Sequence, residues 1–194
     1  PSWLGAALTL LAGLGWLLGT ASSIQAIQQL AIPALVLGAY WTALGWRGFR
    51  VLLIPVGVLY YVLPPWDYLV PMLQGLTVDV VGTALEFFHI PAFIRVHFVQ
   101  LPNGSFEIVE GCSGLHFFMA AGALATIQAH LWIRRPWAQG LLLAAALAVA
   151  VVANWIRVFV VIYAGYATDM QHFLVQVDHY YFGWAVFMLL MAPV

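Results

Sequence analysis

The hydrophobic positions of this chain fall into long uninterrupted runs, which glycine, proline and charged residues separate. A helix needs about 20 apolar residues to cross a bilayer, and in lipid it must satisfy its own backbone hydrogen bonds. A β-barrel would alternate apolar and polar residues, and these runs do not. The pattern predicts an all-α polytopic membrane protein, with residues 1–194 as one domain and about six helices in one bundle. The predicted spans are Trp3–Gly19, Ile24–Trp46, Val51–Trp66, Ser113–Ile133, Gly140–Gly165 and Val177–Val194.

The stretch between the third and fourth predicted spans has a different pattern. Residues 72–90 carry polar side chains among apolar ones, which favours an amphipathic helix over a spanning one. Residues 93–109 contain two β-type runs around Pro102-Asn103-Gly104, and Asn-Gly between such runs is the strongest short hairpin signal. We therefore expect 72–110 to form an extramembrane helix and a small β-hairpin. The polar residues of 72–90 are Gln74, Thr77, Asp79, Thr83, Glu86 and His89.

Composition agrees with a membrane protein. Hydrophobic residues make up 64% of the chain and charged residues 7%. A soluble domain has roughly 45–50% hydrophobic residues and about 25% charged residues. These values exclude a soluble globular domain, a disordered tail and a nucleic-acid-binding basic face. The single cysteine, Cys112, excludes an intramolecular disulfide and a multi-cysteine metal site. We expect neither a metal nor a cofactor.

The arginines predict the orientation of the chain, because an excess of arginine marks cytoplasmic loops. Four of the six basic residues lie in the loops after the second and fourth predicted spans, namely Arg47, Arg50, Arg134 and Arg135. The N-terminus is then cytoplasmic, and the seven acidic residues fall on or near the opposite face. Arg95 and Arg157 do not fit the rule, so their presence needs another reason.

Three reactive side chains are expected at one depth near the outer face. Cys112 begins the fourth predicted span and His179 begins the sixth. Arg157 lies 17 residues after Gly140, or about 26 Å along a helix, in a hydrocarbon core of about 30 Å. A thiolate is a strong nucleophile near a cation, an imidazole transfers protons, and a guanidinium binds an oxyanion or a carboxylate. This combination is typical of a cysteine enzyme.

Each of the three residues also has a structural interpretation. A lone cysteine in a membrane helix is often a packed apolar residue, and an interfacial histidine is often structural. An arginine inside an apolar span costs about 2.5–3.5 kcal/mol to insert, so it is usually functional or paired. Arg157 would then pair with Asp169 or Asp178.

Three motifs of this chain resemble those of the exosortase/archaeosortase family. They are Glu110-Gly111-Cys112-Ser113-Gly114-Leu115, Asn154-x-x-Arg157 and Asp178-His179-x-x-x-Gly183. The hairpin 101–109, Pro65-Trp66 and the segment 73–77 also resemble the family pattern. The resemblance covers 64–194, whereas 1–63 matches only as hydrophobic spans. The chain departs from the family at Gly111, where alanine is common, and at His116, where arginine is common.

The resemblance implies a multi-pass enzyme of the bacterial inner membrane with its site at the periplasmic face. Members are cysteine proteases or transpeptidases that cleave a C-terminal sorting signal through a thioester. That signal consists of a Pro-Glu-Pro motif, a transmembrane helix and a basic end, in secreted proteins linked to exopolysaccharide. The partners are therefore membrane-anchored substrate proteins. The resemblance implies Cys112 as the nucleophile, Arg157 as the essential cation and His179 as the acid/base.

Other side chains have supporting or competing interpretations. Asn154 lies one turn before Arg157 and would orient it or donate to an oxyanion, and Ser113 follows the nucleophile. His116 is on the same helix face as Cys112 and is the rival base.

Charged residues near the outer face have two interpretations each. Arg95 either meets an acidic residue of the incoming signal or pairs with Glu107 across the hairpin. Asp178 is a partner for Arg157 or a local cap. The rival functions are a transporter or channel that uses Arg157 and the outer acids as a substrate path, and a structural membrane subunit with a packed Cys112.

Overall fold

The computed structural model describes residues 2–176 and 179–193, except for the side chains of 64, 176, 179 and 180. Within this part the chain is mostly helical, with one small antiparallel sheet. The helices are α1 Trp3–Ala21, α2 Gln25–Val58, α3 Val70–Phe87, α4 Leu115–Trp132, α5 Pro136–Ala167, α6 Phe173–Gln176 and α7 His179–Met191. The strands are β1 Phe93–Arg95, β2 Phe98–Leu101 and β3 Gly104–Glu107. Short 3-10 helices cover Leu59–Val62, Pro64–Leu69 and Glu110–Cys112. The chain divides into two compact units, Pro1–Asp67 with Ala123–Gln139, and Tyr68–Gly122 with Gly140–Val194.

In the first unit, α1 packs closely against the first half of α2. A Cβ atom on Gly5 would collide with the backbone of Thr42, and one on Gly38 would lie 2.8 Å from the backbone nitrogen of Thr9. Small residues at such contacts allow two membrane helices to approach closely. Residues early in α1 contact residues late in the first half of α2, and residues late in α1 contact its beginning, so the two helices are antiparallel.

Helix α2 folds back on itself at Gly45, whose backbone has φ 69° and ψ −165°. The hydroxyl of Tyr60 donates to the carbonyl oxygen of Leu30 at 3.2 Å. Thirty residues of continuous helix would separate the two positions by about 45 Å, so the chain must reverse at Gly45. The sequence pattern ends its second span at Trp46 and expects a loop as far as Val51. In the structure a single glycine makes the break, because only glycine adopts this positive φ without strain.

Four helical stretches of the described residues are long and apolar enough to cross a membrane. They are Trp3–Ala21, Gln25–Val62, Pro65–Phe87 and Pro136–Ala167, and Tyr181–Met191 is a shorter apolar helix. The stretch 65–87 meets this criterion by length and composition, and it contains most of the helix that the sequence predicts to be extramembrane. Two of its polar side chains, Gln74 and Thr77, are buried in the protein, with exposed fractions of 8% and 0%. Polar residues in this helix therefore do not all require contact with water.

The second unit has a hydrophobic core between α3, the sheet and α5. The strands have the order β1-β2-β3, and Phe98 of β2 faces Arg95 on one side and Glu107 on the other. The sequence pattern predicts two strands here, and the structure has a third, β1. The core side chains include Val81, Leu85, Val99, Ile108 and Ile162.

The hairpin tip between β2 and β3 is fastened to the end of α5. The Nδ2 of Asn103 lies 2.8 Å from the carbonyl oxygen of Tyr166 and 3.3 Å from that of Gly165, so it satisfies carbonyls at the helix C-terminus. The ring of Phe106 packs directly on Gly165. These contacts place the segment that follows β3 beside α5.

Candidate active site

Cys112 ends the 3-10 turn that leads from the sheet into α4. Its backbone nitrogen donates to the carbonyl oxygen of Val109 at 2.8 Å, and the nitrogen of Ser113 donates to that of Glu110 at 3.0 Å. Gly114 then takes a φ of +85°, after which α4 begins. The thiol is free and half-buried. The turn therefore presents the cysteine at the start of a helix.

Asn154 connects this turn to α5. The side chain is 1% exposed, and its Nδ2 donates to the carbonyl oxygen of Cys112 at 2.8 Å and to Oγ1 of Thr77 at 3.4 Å. A Cβ atom on Gly114 would lie 2.7 Å from Cγ of Asn154, so the positive φ and the close approach both favour glycine there. The sequence predicts that Asn154 orients Arg157 or donates to an oxyanion, whereas in the structure its amide nitrogen donates to the backbone of Cys112.

Arg157 lies one turn further along α5 and is 6% exposed. Its Nη2 donates to the carbonyl oxygen of Gly111 at 3.3 Å, and Arg157 lines the same two cavities as Cys112. The guanidinium carbon is 5.3 Å from the centre of the Phe117 ring, within the range of a cation–π contact. Gly183 of α7 packs against Cδ of the arginine.

No carboxylate among the described residues accounts for the burial of Arg157. Asp169, one of the two predicted partners, instead accepts from Nδ2 of Asn103 at 3.2 Å. Asp178, the other, lies outside the described residues. Within the described part of the chain the Nε of Arg157 has no hydrogen-bond partner. A buried cation with an open donor is suited to binding an anion that arrives from outside.

Two cavities meet at Cys112 and Arg157. The first has a volume of about 50 Å³ and is mostly apolar, with Glu107 as its charged residue besides Arg157. The second has a volume of about 160 Å³, and its further lining includes His116, Phe117 and Trp184. The thiol and the guanidinium are therefore accessible from two sides.

Of three predicted supporting residues, one lines a cavity of the site, one caps a helix and one is exposed on the sheet. His116 is exposed and shares the second cavity with Cys112. Ser113 is 3% exposed, and its Oγ accepts from the backbone nitrogen of Leu115 at 3.3 Å, so it caps the start of α4. Arg95 is exposed on β1, with its guanidinium carbon 5.3 Å from the centre of the Phe93 ring. The strand order puts Phe98 between Arg95 and Glu107.

The side chain of His179 lies outside the described residues. Its backbone begins α7, and Gly183, which contacts Arg157, follows one turn later on the same helix. Position 179 therefore belongs to a helix that reaches the site.

Two residues of α3 reach the site without having been predicted as site residues. Thr77 accepts from Asn154, and Nε2 of Gln74 donates to the carbonyl oxygen of Ile108, just before the cysteine turn. The signal was present as two polar residues three positions apart in an apolar helix. That pattern predicts a water-facing surface, because one sequence cannot show which face of a helix is buried.

Comparison with known proteins identifies the family. The family profile described as transmembrane exosortase matches residues 1–194, which includes the first 63 residues that resemble the family only as hydrophobic spans. No curated protein and no solved structure matches the chain. The chain belongs to the transmembrane exosortase family.

Proposed function

We propose that this protein is a membrane-embedded cysteine protease or transpeptidase that cleaves a C-terminal sorting signal. The observation that carries the proposal is that the one cysteine of the chain and the buried Arg157 line the same two cavities. A cation at this position stabilises the negative charge that develops when a thiol attacks a carbonyl group. Family membership supports a peptidase or transpeptidase.

In the proposed reaction the Cys112 thiol gives its proton to His179, and the sulfur attacks the scissile carbonyl carbon. The guanidinium of Arg157 stabilises the oxyanion of the tetrahedral intermediate. When the intermediate collapses, the C–N bond breaks and His179 returns the proton to the leaving amine. The products are a thioester on Cys112 and a free amine.

A second nucleophile then resolves the thioester. Water, or an acceptor bearing a hydroxyl or an amine, attacks the thioester carbonyl while His179 takes its proton. The C–S bond breaks, and the thiolate is protonated again. Water gives a protease and an acceptor gives a transpeptidase.

The two cavities suit a peptide that passes across the thiol. Residues before and after the scissile bond would occupy different cavities, the smaller and more apolar one beside Val158 and Ile162 and the larger one beside His116. The proposed substrate is a secreted protein with a Pro-Glu-Pro motif, a transmembrane helix and a basic end. Its helix would enter from the lipid.

The proposed setting is the bacterial inner membrane, with a cytoplasmic N-terminus and the site at the periplasmic face. We propose one transmembrane domain of about six spans. The reversal at Gly45 supports two separate spans within the stretch 25–62, since it divides a helix that would otherwise be far longer than a bilayer is thick.

The test is co-expression with a protein that carries the tripartite signal, followed by measurement of substrate size. We expect cleavage with the wild type, none with Cys112→Ala, and a loss of about 10²–10³-fold with Arg157→Lys, because lysine keeps the charge but lacks the planar donor fork. Leu141→Ala, on the exposed surface of α5, is the matched control and should cleave normally.

Cleavage that persists in Cys112→Ala would remove the thiol from the reaction. A transporter or channel, the rival class, predicts lost uptake in Arg157→Ala and no effect of Cys112→Ser. A structural subunit predicts a thiol that outer-face reagents modify slowly.

A further inference from the structure

Helix α3 presents two buried polar side chains to the active site. Gln74 and Thr77 are three positions apart, so they share one face of the helix, and their exposed fractions are 8% and 0%. The polar residues Asp79 and Thr83 of the same helix are exposed. Burying a polar group without a partner is costly, so the partners of Gln74 and Thr77 indicate their role.

Gln74 bonds directly to the segment 108–112, and Thr77 bonds to Asn154, which itself donates to this segment. The backbone of 108–112 forms neither a strand nor an α-helix. Buried backbone carbonyls must find donors, and in such a segment side chains supply them. Gln74 donates to the carbonyl oxygen of Ile108, a residue that is 2% exposed. Arg157 donates to that of Gly111, and Asn154 to that of Cys112. Three carbonyls within five residues are thus held by two helices.

Thr77 acts on the last of these bonds. Its hydroxyl donates to the carbonyl oxygen of Leu73 at 2.8 Å, so the hydroxyl oxygen is free to accept from Nδ2 of Asn154. The amide nitrogen of Asn154 carries two N–H groups, and it donates one to Thr77 and the other to the carbonyl oxygen of Cys112. With an acceptor at position 77, the nitrogen of Asn154 faces the carbonyl oxygen of Cys112.

We propose that Gln74 and Thr77 are positioning residues that hold the Cys112 thiol against the guanidinium of Arg157. Gln74 fixes the start of the cysteine segment and Thr77 fixes its end through Asn154. The inference rests on the proposed function in one respect, namely that Cys112 is the nucleophile whose position the two residues set. Neither residue touches the thiol.

The alternative is that both side chains only fill space. Packing alone predicts that valine, which has nearly the shape of threonine, would replace Thr77 without consequence for the thiol. Positioning predicts that serine, which keeps the hydroxyl and loses a methyl group, would preserve the thiol environment. The two substitutions therefore separate the two roles.

The test compares the alkylation of Cys112, the one thiol of the chain, by anionic iodoacetate and neutral iodoacetamide in the purified full-length protein. A guanidinium beside the thiol attracts the anionic reagent, so the ratio of the two rates reports the distance between the groups. Simple exposure of the thiol changes both rates together. We expect Thr77→Val and Gln74→Met to lower the ratio about fivefold, the effect of one net hydrogen bond, and Thr77→Ser to keep it.

Val81→Ala is the matched control. Val81 is 1% exposed on α3, one turn after Thr77, and has no polar side chain. Its truncation should lower the thermal stability and leave the ratio unchanged. An unchanged ratio in Thr77→Val, or an equal loss in Thr77→Ser and Val81→Ala, would overturn the inference.

The same preparations separate this inference from the proposed function. If the wild type cleaves no signal-bearing substrate while the ratio falls in Thr77→Val, the proposed function fails and the positioning role stands. If cleavage requires Cys112 and the ratio does not respond to Thr77→Val, only the positioning role fails.

Discussion

Asn154 donates a 2.8 Å hydrogen bond to the carbonyl oxygen of Cys112, and one turn later on the same helix Arg157 donates to the carbonyl oxygen of Gly111. Two consecutive peptide groups of the cysteine turn are therefore attached to one face of α5. Arg157, which lines two cavities together with Cys112, also donates to the backbone beside it. Changes on this face of α5 should be detectable at Cys112.

We expect Asn154→Ala to lower the stability of the protein and to change the reactivity of the Cys112 thiol. The substitution leaves the buried carbonyl oxygen of Cys112 without its donor, at a cost of about 1–3 kcal/mol in the free energy of unfolding. The iodoacetate to iodoacetamide rate ratio of Cys112 should fall as well, because the turn is released from α5. Reversible unfolding in detergent and the two alkylation rates measure these effects.

Asn103→Ala is the control for Asn154→Ala. Asn103 also donates to backbone carbonyls, but these belong to Gly165 and Tyr166 at the end of α5. We expect a similar loss of stability with an unchanged rate ratio. Equal changes of the ratio in both variants would mean that the hydrogen bond to Cys112 has no specific effect on the thiol.

Gly183→Ala should displace the guanidinium. A Cβ atom at this position would collide with Cδ of Arg157 and lie 3.1 Å from Cζ of Phe117. The side chain of Arg157 packs against both Gly183 and Phe117. We therefore expect cleavage to fall by at least about tenfold, the effect of about 1.4 kcal/mol in the activation free energy. Gly140→Ala on α5 has no heavy atom within 4 Å of the added Cβ and should cleave normally. Full activity in Gly183→Ala would show that Arg157 tolerates displacement.

The sequence singles out Cys112, Arg157 and Asn154 as candidate site residues, because each is distinctive in its apolar surroundings, and the structure brings the three together. Gln74 and Thr77 were not predicted as site residues, because amphipathic spacing is the same whether a polar face meets water or a buried backbone segment. The sequence predicts a loop between Trp46 and Val51, because charge and glycine separate two apolar runs there, whereas the structure breaks the helix just before it, at Gly45. The predicted β-type runs include the residues of β1, but the turn that separates β1 from β2 lies at Val96, with φ 52° and no glycine or proline to reveal it.

The proposed acid/base can be identified by comparing His179→Gln with His116→Gln. Glutamine keeps hydrogen-bonding capacity but does not transfer protons near neutral pH, so loss of the true base should slow cleavage by about 10²–10⁴-fold. We expect this loss for His179 and a smaller one for His116, which is exposed beside the second cavity. The larger loss in His116→Gln would transfer the role to that residue, and single-turnover cleavage rates decide between them.

The orientation of the chain can be read from its own cysteine. Because Cys112 is the single cysteine, a membrane-impermeant maleimide applied to intact spheroplasts reports the side on which this half-buried thiol lies. We expect labelling of the wild type from outside. In Cys112→Ala/Arg134→Cys we expect labelling only after the membrane is permeabilised, since Arg134 belongs to a loop that its charge predicts to be cytoplasmic. Labelling of position 134 from outside together with protection of Cys112 would show that the topology is the opposite of the proposed one. The proposed reaction would then lie on the cytoplasmic side, which a secreted substrate has not yet left.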